Sequence, residues 1–188
     1  MTRTRPRTLS TSEERRETVL RTAVETFASR GYYGTTTTEV ATRAGISQAY
    51  VYRLFPNKEA LFLAVVDHAF ELVRDSLARG AAAATSTDPH LVLEAMGDSY
   101  ARLIQDKNLM LVQLHAQAAA AAEPTIRDAV RKGYARSVEY VRSASGASEP
   151  EVQHFFATGL LCHLLVAINA DEIDTPWAKV LSAGIRHY

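Results

Sequence analysis

Apolar positions recur at three- and four-residue spacing through most of the chain, and the strict alternation of a half-buried strand is nearly absent. The first stripe is Val19, Leu20, Ala23, Val24 and Phe27. Ser10 and Thr11, each three residues before a glutamate, fit capping boxes ahead of it, and Gly31 supplies a stop. A short helix is expected over about 36–43, broken at Gly45. Ser47 caps a third, which ends at Pro56 because proline disfavours helical geometry in the residue before it. Asn57 caps a long fourth helix with the stripe Leu61, Phe62, Val65, Val66, Ala69, Phe70, Val73 and Leu77, expected to run to about Gly80. Further helices fit about 90–105, 109–122 and 125–143. An eighth starts near Ser148 and is apolar on nearly every side over 155–170. A ninth is opened by Asp174-Thr175-Pro176, with Ile173, Trp177, Val180, Leu181 and Ile185 as its apolar set. The pattern predicts an all-α chain of about nine helices.

Three short helices followed by longer ones divide into two units. The first covers 1–56, with a basic arm over 1–9 that carries Arg3, Arg5 and Arg7. The second, 57–188, is a helical bundle. Net charge is zero over 188 residues, but the sign is split. Residues 1–58 hold ten Lys/Arg against five Asp/Glu, and the remainder holds eleven against sixteen. A basic front suits contact with a polyanion. The arm reads either as a segment lying along phosphates or in a minor groove, or as a solvated terminus.

Within the first unit, helix, glycine turn and short helix form the geometry that places a second helix in a DNA major groove. Ala41 is small enough for two helices to cross closely, Gly45 suits a left-handed turn, and Val51 and Leu54 face inward. That leaves Ser47, Gln48, Ala49, Tyr50 and Arg53 near the exposed side. Gln48 can pair with adenine and Ala49 can touch a thymine methyl. The run from Gly31 to Phe62, above all Ala41-Thr-Arg-Ala-Gly-Ile-Ser47, Tyr52 and Phe55-Pro-Asn-Lys-Glu-Ala-Leu61, resembles the DNA-binding signature of the TetR family of transcriptional regulators. The resemblance covers about residues 12–62. It implies an all-helical homodimer whose first three helices bind a palindromic double-stranded DNA operator and whose C-terminal bundle binds a small inducer. Carried over by position, it sets Thr36 and Thr37 against phosphates and Thr38 where some relatives have a base-reading arginine. Gln48, Ala49 and Tyr50 fall on base-reading positions, and Tyr52 and Lys58 on phosphate-contacting ones. Tyr50 is bulky for its position, which leaves the target sequence open.

The second unit is read from its own residues. Gln113 and Gln117 on the sixth helix, Met96 and Tyr100 on the fifth, Met110 and Tyr134 are the expected ligand wall, suited to a neutral or weakly polar lipophile. His163 and Asn169 could reach a cavity, the opposite helix or a dimer mate. A helix apolar on every side must be buried on every side, so one stripe of the eighth faces the bundle and the other a two-fold mate. Phe155, Gly159, Cys162 and Val166 form one stripe; Phe156, Leu160, Leu164 and Ala167 form the other. The first of these, with Trp177 and Leu181 of the ninth helix, is the expected interface.

An enzyme is not expected, nor a cofactor or a metal. The six histidines have no metal-binding spacing, Cys162 and His163 point about 100° apart on their helix, and no phosphate-cradling loop occurs. A single cysteine excludes a disulfide framework, and no apolar run reaches the ~18 residues of a membrane span. The basic N-terminus has no apolar stretch behind it, so a secretory signal is not expected and the cytoplasm is. The expected function is a ligand-released repressor. The alternative is a DNA-binding regulator controlled by a protein partner.

Overall fold

A computed structural model describes residues 12–185. The basic arm over 1–9, the caps expected at Ser10 and Thr11, and His187 lie outside the described residues.

Nine α-helices occupy the described residues, with no strand among them. They are α1 (Ser12–Gly34), α2 (Thr37–Arg43), α3 (Gln48–Leu54), α4 (Lys58–Ala83), α5 (Pro89–Leu103), α6 (Lys107–Ala120), α7 (Pro124–Ser145), α8 (Glu149–Ala167) and α9 (Pro176–Ser182); a 3-10 turn (Ala170–Glu172) precedes α9. The caps explain most of these boundaries. Asn57 accepts from the Ala60 N–H at 2.7 Å, Asp88 from His90 at 2.9 Å and Asp106 from Asn108 at 3.0 Å. Each satisfies a backbone donor that has no partner inside its own helix.

Several ends differ from the expected ones. Gly31 breaks α1 with φ 68°, yet the chain resumes a further turn to Gly34. Helix α3 stops at Leu54, before the proline, because Phe55 is already extended. Helix α4 runs through Gly80 to Ala83. That glycine is a packing position rather than a stop: a Cβ there would lie 2.6 Å from the carbonyl oxygen of Ala95 and from Cα of Met96. The eighth helix ends at Ala167, and the ninth is only seven residues long.

Two buried apolar clusters hold the chain together. One joins Val19, Ala23 and Phe27 of α1 to Val40, Val51, Leu61, Phe62 and Val65 and continues into α6 and α7 through Val112, Ala116 and Ile126. The Phe27 and Phe62 rings meet at 4.8 Å. The other gathers Val73 and Leu77 of α4 with Val92, Leu93 and Met96 of α5, Val141 and Val152. Helix α4 therefore belongs to both clusters. Helix α6 docks on α1 as well: His115 Nε2 bonds the Ala28 carbonyl at 3.1 Å, and the ring lies against Gly31, where a Cβ would come within 2.8 Å of Nδ1.

Candidate DNA-binding face and ligand cavity

The N-terminal face is built by local capping. Thr36 and Glu39 close a reciprocal box: the Thr36 hydroxyl accepts from the Glu39 N–H at 3.2 Å, and the Glu39 carboxylate accepts from the Thr36 N–H at 3.0 Å. Hydrogen bonds from the Thr36 backbone, then its side chain, hold the Glu39 carboxyl below its ordinary pKa. Gly45 turns the chain at φ 67°, and the Ile46 N–H returns to the Ala41 carbonyl at 3.0 Å. Ser47 then caps α3 through the Tyr50 N–H at 3.2 Å. Val51 is fully buried and Leu54 packs on the core, which turns Ser47, Gln48, Ala49, Tyr52 and Arg53 outward. Thr36 and Thr38 are exposed beside them.

Five of the expected contact residues have partners within the N-terminal unit. Thr37 is buried. Its hydroxyl donates to the Tyr52 oxygen at 3.1 Å and accepts from Gln48 Nε2 at 3.2 Å, and Gln48 Nε2 also lies 3.4 Å from the Tyr52 oxygen. Thr37 thus ties α2 to α3, its hydroxyl taken up by Tyr52 and Gln48. Lys58, half-buried, donates to the Tyr32 carbonyl at 3.0 Å and lies 4.6 Å from the centroid of that ring. Tyr50 is held between two guanidiniums, Arg15 at 5.6 Å and Arg53 at 4.9 Å. Arg15 was not legible as part of this face, since it comes from the first helix and reaches α3 only through the fold.

A cavity of about 590 Å³ opens between α4, α5, α7 and α8. Its wall includes Phe70, Val73 and Leu77 from α4, Leu93 and Gly97 from α5, Tyr134 and Ser137 from α7, and Phe155, Phe156 and Gly159 from α8. The aromatic rings form a ladder: Phe70 to Tyr134 at 5.3 Å, Tyr134 to Phe156 at 6.3 Å, Phe156 to Phe155 at 5.5 Å. Three of the cavity's polar side chains are tied together. The Tyr100 hydroxyl bonds His163 Nε2 and lies 3.4 Å from Gln113 Oε1. Burial raises the Tyr100 pKa and lowers that of His163 to about 4, so both stay neutral. His163 Nδ1 is buried without a partner.

Of the expected ligand wall, Tyr100, Gln113 and Tyr134 line this cavity. Gln117 stands behind it, donating to the Tyr134 hydroxyl at 2.8 Å. Met96 and Met110 are fully buried outside the lining, Met96 because its face of α5 meets α4 at Gly80. The residues expected at a dimer interface lie in different surroundings. Phe155, Gly159 and Cys162 line the cavity, and Val166 and Leu181 are half-buried. Trp177, also expected at the interface, is exposed, as are Leu160, Leu164, Ile168 and Val180, and Leu160 also lines the cavity. His163, one of the residues with open alternatives, faces the cavity. Gly97 was not singled out from the sequence, although it opens the wall opposite Phe155. Among the described residues no group of three or more His, Cys, Asp or Glu could hold a metal ion, and no helix is long and apolar enough to cross a membrane.

Residues 19–65 match the family model of bacterial regulatory proteins, tetR family. The chain is 35% identical over 97 residues to the HTH-type transcriptional activator FasR of Mycolicibacterium smegmatis, covering 50% of this chain and 42% of that protein. It spans less than half the length of the curated relatives it matches. The fatty acid degradation regulator FadR of Bacillus halodurans has the same fold at a TM-score of 0.72 and 18% identity, over 95% of this chain and 100% of that one. The transcriptional regulator FadR of Bacillus subtilis, solved in complex with stearoyl-CoA, shares the fold at 0.66 and 19% identity, over 90% and 99%. The matched segment runs from the apolar stripe of α1 into α4 and contains the whole two-helix turn with its exposed edge, and over these residues the chain carries the DNA-binding segment of bacterial regulatory proteins, tetR family.

Proposed function

We propose that the chain is a transcriptional repressor that binds a palindromic operator as a homodimer and leaves it when a small lipophilic ligand enters the cavity. In this reading 1–56 is the DNA-binding unit and 57–188 the ligand and dimer unit. The observation that carries it is the span of α4. Lys58 at its start bonds the Tyr32 carbonyl of α1 within the N-terminal unit, while Phe70, Val73 and Leu77 further along are part of the cavity wall. At 1.5 Å per residue, Lys58 and Phe70 are about 18 Å apart along one helix. Two recognition helices must sit about 34–36 Å apart, or a multiple, to enter successive grooves on one face of DNA. A ligand that tilts α4 changes that spacing, and it shifts the equilibrium only by its affinity difference between the two arrangements. A cavity that accepts a long apolar chain is in keeping with the stearoyl-CoA complex of the similar Bacillus subtilis regulator.

The test is a mobility shift with the DNA flanking the protein's own gene, titrated with salt and then with lipophilic compounds. Sequence-specific, salt-sensitive binding that a cavity ligand abolishes is the expected result. Binding that no small lipophile reverses would favour control by a protein partner.

A further inference from the structure

One hydrogen-bond chain links α5, α6 and α8 at the cavity wall. Gln113 begins it: the amide nitrogen donates to the Leu109 carbonyl at 3.4 Å, which leaves Oε1 to face the Tyr100 hydroxyl at 3.4 Å. The Tyr100 oxygen also bonds Nε2 of His163, and all three side chains line the cavity. A phenol has one proton to give. With that proton directed to Gln113, the bond to His163 runs the other way, from the ring N–H at Nε2 to the phenol oxygen. Burial keeps the imidazole neutral, and a neutral imidazole carries a single N–H. Nδ1 is therefore a bare acceptor. The atom is buried, in a residue only 3% exposed, and has no hydrogen-bond partner.

Buried polar atoms are nearly always paired, so an unpaired acceptor on a residue of the cavity wall calls for a donor on the ligand. A carboxylate, an ester, an ether or a thioester carbonyl brings only lone pairs and would set acceptor against acceptor. A hydroxyl brings a proton and no charge, which suits an interior walled by Phe70, Val73, Leu77 and Phe156. We propose, resting on the reading of the cavity as the inducer site, that its ligand is a lipophilic alcohol whose hydroxyl donates to Nδ1 of His163 and whose apolar body lies among those four side chains.

The experiment is calorimetric titration of the full chain with two isomers, 1-octanol and 1-methoxyheptane, which share their atoms and differ in whether the oxygen carries a proton. The alcohol is expected to bind at least about tenfold tighter than the ether. In His163→Phe, which keeps a flat ring and loses both nitrogens, that preference should fall below about threefold while the ether binds as before. Nitrogen-15 NMR reads the acceptor directly, the His163 resonances being identified by their loss in His163→Phe or His163→Gln. Nδ1 should be the unprotonated nitrogen of the ring, and its resonance should move when octanol is added and stay when the ether is. An ether that binds as tightly as the alcohol overturns the proposal, as does a preference that survives in His163→Phe, a proton found on Nδ1, an Nδ1 resonance that octanol leaves in place, or no binding by either isomer. Operator release is read separately. Octanol that binds with the expected preference but leaves the DNA complex intact defeats the release mechanism and not the alcohol subsite; equal binding and equal release by both isomers does the reverse.

Discussion

The Tyr100 hydroxyl bonds Nε2 of His163 across the cavity, tying α5 to α8 where both helices are otherwise largely apolar. Burial holds this imidazole neutral, with a pKa of about 4 against an ordinary value of 6.5. Between those values the unfolded chain binds a proton that the folded chain refuses. The stability is therefore full above about pH 6.5 and is lost as pH falls toward 4. The complete shift corresponds to about 3 kcal/mol. Urea unfolding of wild type and His163→Gln at about pH 7 and about pH 5 should show the gap between them shrinking on acidification. A gap that stays constant would remove His163 from the acid sensitivity of the fold.

Most of the fold was legible because its signals are local. Thr36, Ser47 and Asn57 announce helix starts through side chains that bond within three residues, and those starts fall within a residue or two of the structure. Gly45 likewise states its own backbone angle. What could not be read was which face of a helix meets what. Met96 and Tyr100 are one turn apart on α5, yet one packs under Gly80 and the other opens on the cavity. On α8 both stripes are apolar, so period alone could not separate them, and both contribute to the cavity wall, Phe155 and Gly159 from one and Phe156 and Leu160 from the other. Gly31 and Gly80 both read as helix stops. The first has a positive φ, while the second is helical and marks a close crossing that only the partner helix reveals.

On the DNA face, Gln48 has its amide nitrogen drawn back to Thr37 and Tyr52. The pair restrains its rotamer, so in the proposed reading a base contact would cost little further side-chain entropy. Gln48→Ala should relax base preference at one position per half-site and cost about 1–3 kcal/mol at the preferred site. Tyr52→Phe keeps the ring and deletes the oxygen, and should lower affinity less while reducing the same discrimination. Fluorescence anisotropy with single-base operator variants measures both. Uniform, sequence-blind losses in the two variants would contradict the assignment.

Lys58 has three donors, and Tyr32 takes one of them. Its place at the N-terminus of α4, where backbone N–H groups favour an anion, suits it to a phosphate with those that remain. Lys58→Met should weaken binding to all sequences alike and reduce the salt-dependence slope by about one charge. If the slope is unchanged, Lys58 serves only to join α4 to the end of α1.

Glycines on α5 and α7 should respond to alanine with opposite sign. A Cβ on Gly133 would fall 2.2 Å from the Phe70 ring, whose Cγ at 2.4 Å leaves little room to swing aside. Gly133→Ala should destabilise by about 1–3 kcal/mol, as overpacking does. At Gly97 a Cβ would meet Phe155 at an ordinary 3.7 Å. There alanine should stabilise, by up to about 1 kcal/mol from helix propensity. Thermal unfolding of both variants checks the pair, and a stabilised Gly133→Ala would mean that α4 and α7 are less tightly crossed than Phe70 implies.

The homodimer prediction moves to the outer edge of α8. Leu160, Leu164 and Ile168 follow one another at four-residue spacing, each close to half exposed, and Val180 on α9 is 73% exposed. Four-residue spacing puts the first three on one face of the helix, an exposed apolar edge that borders the cavity at Leu160. A second copy related by a two-fold axis would cover the same patch on both partners, since such an interface is self-complementary. A glutamate at the centre of that patch would face its own symmetry mate, so both desolvation and like-charge repulsion oppose assembly. Leu164→Glu should therefore give a folded monomer by sedimentation equilibrium, with operator affinity falling because the two half-sites are no longer bound as a unit. Val166→Glu, on the side turned toward the bundle, should instead damage the fold of the single chain. A Leu164→Glu protein that stays dimeric would place the interface on another face and return the exposed edge of α8 to a different partner.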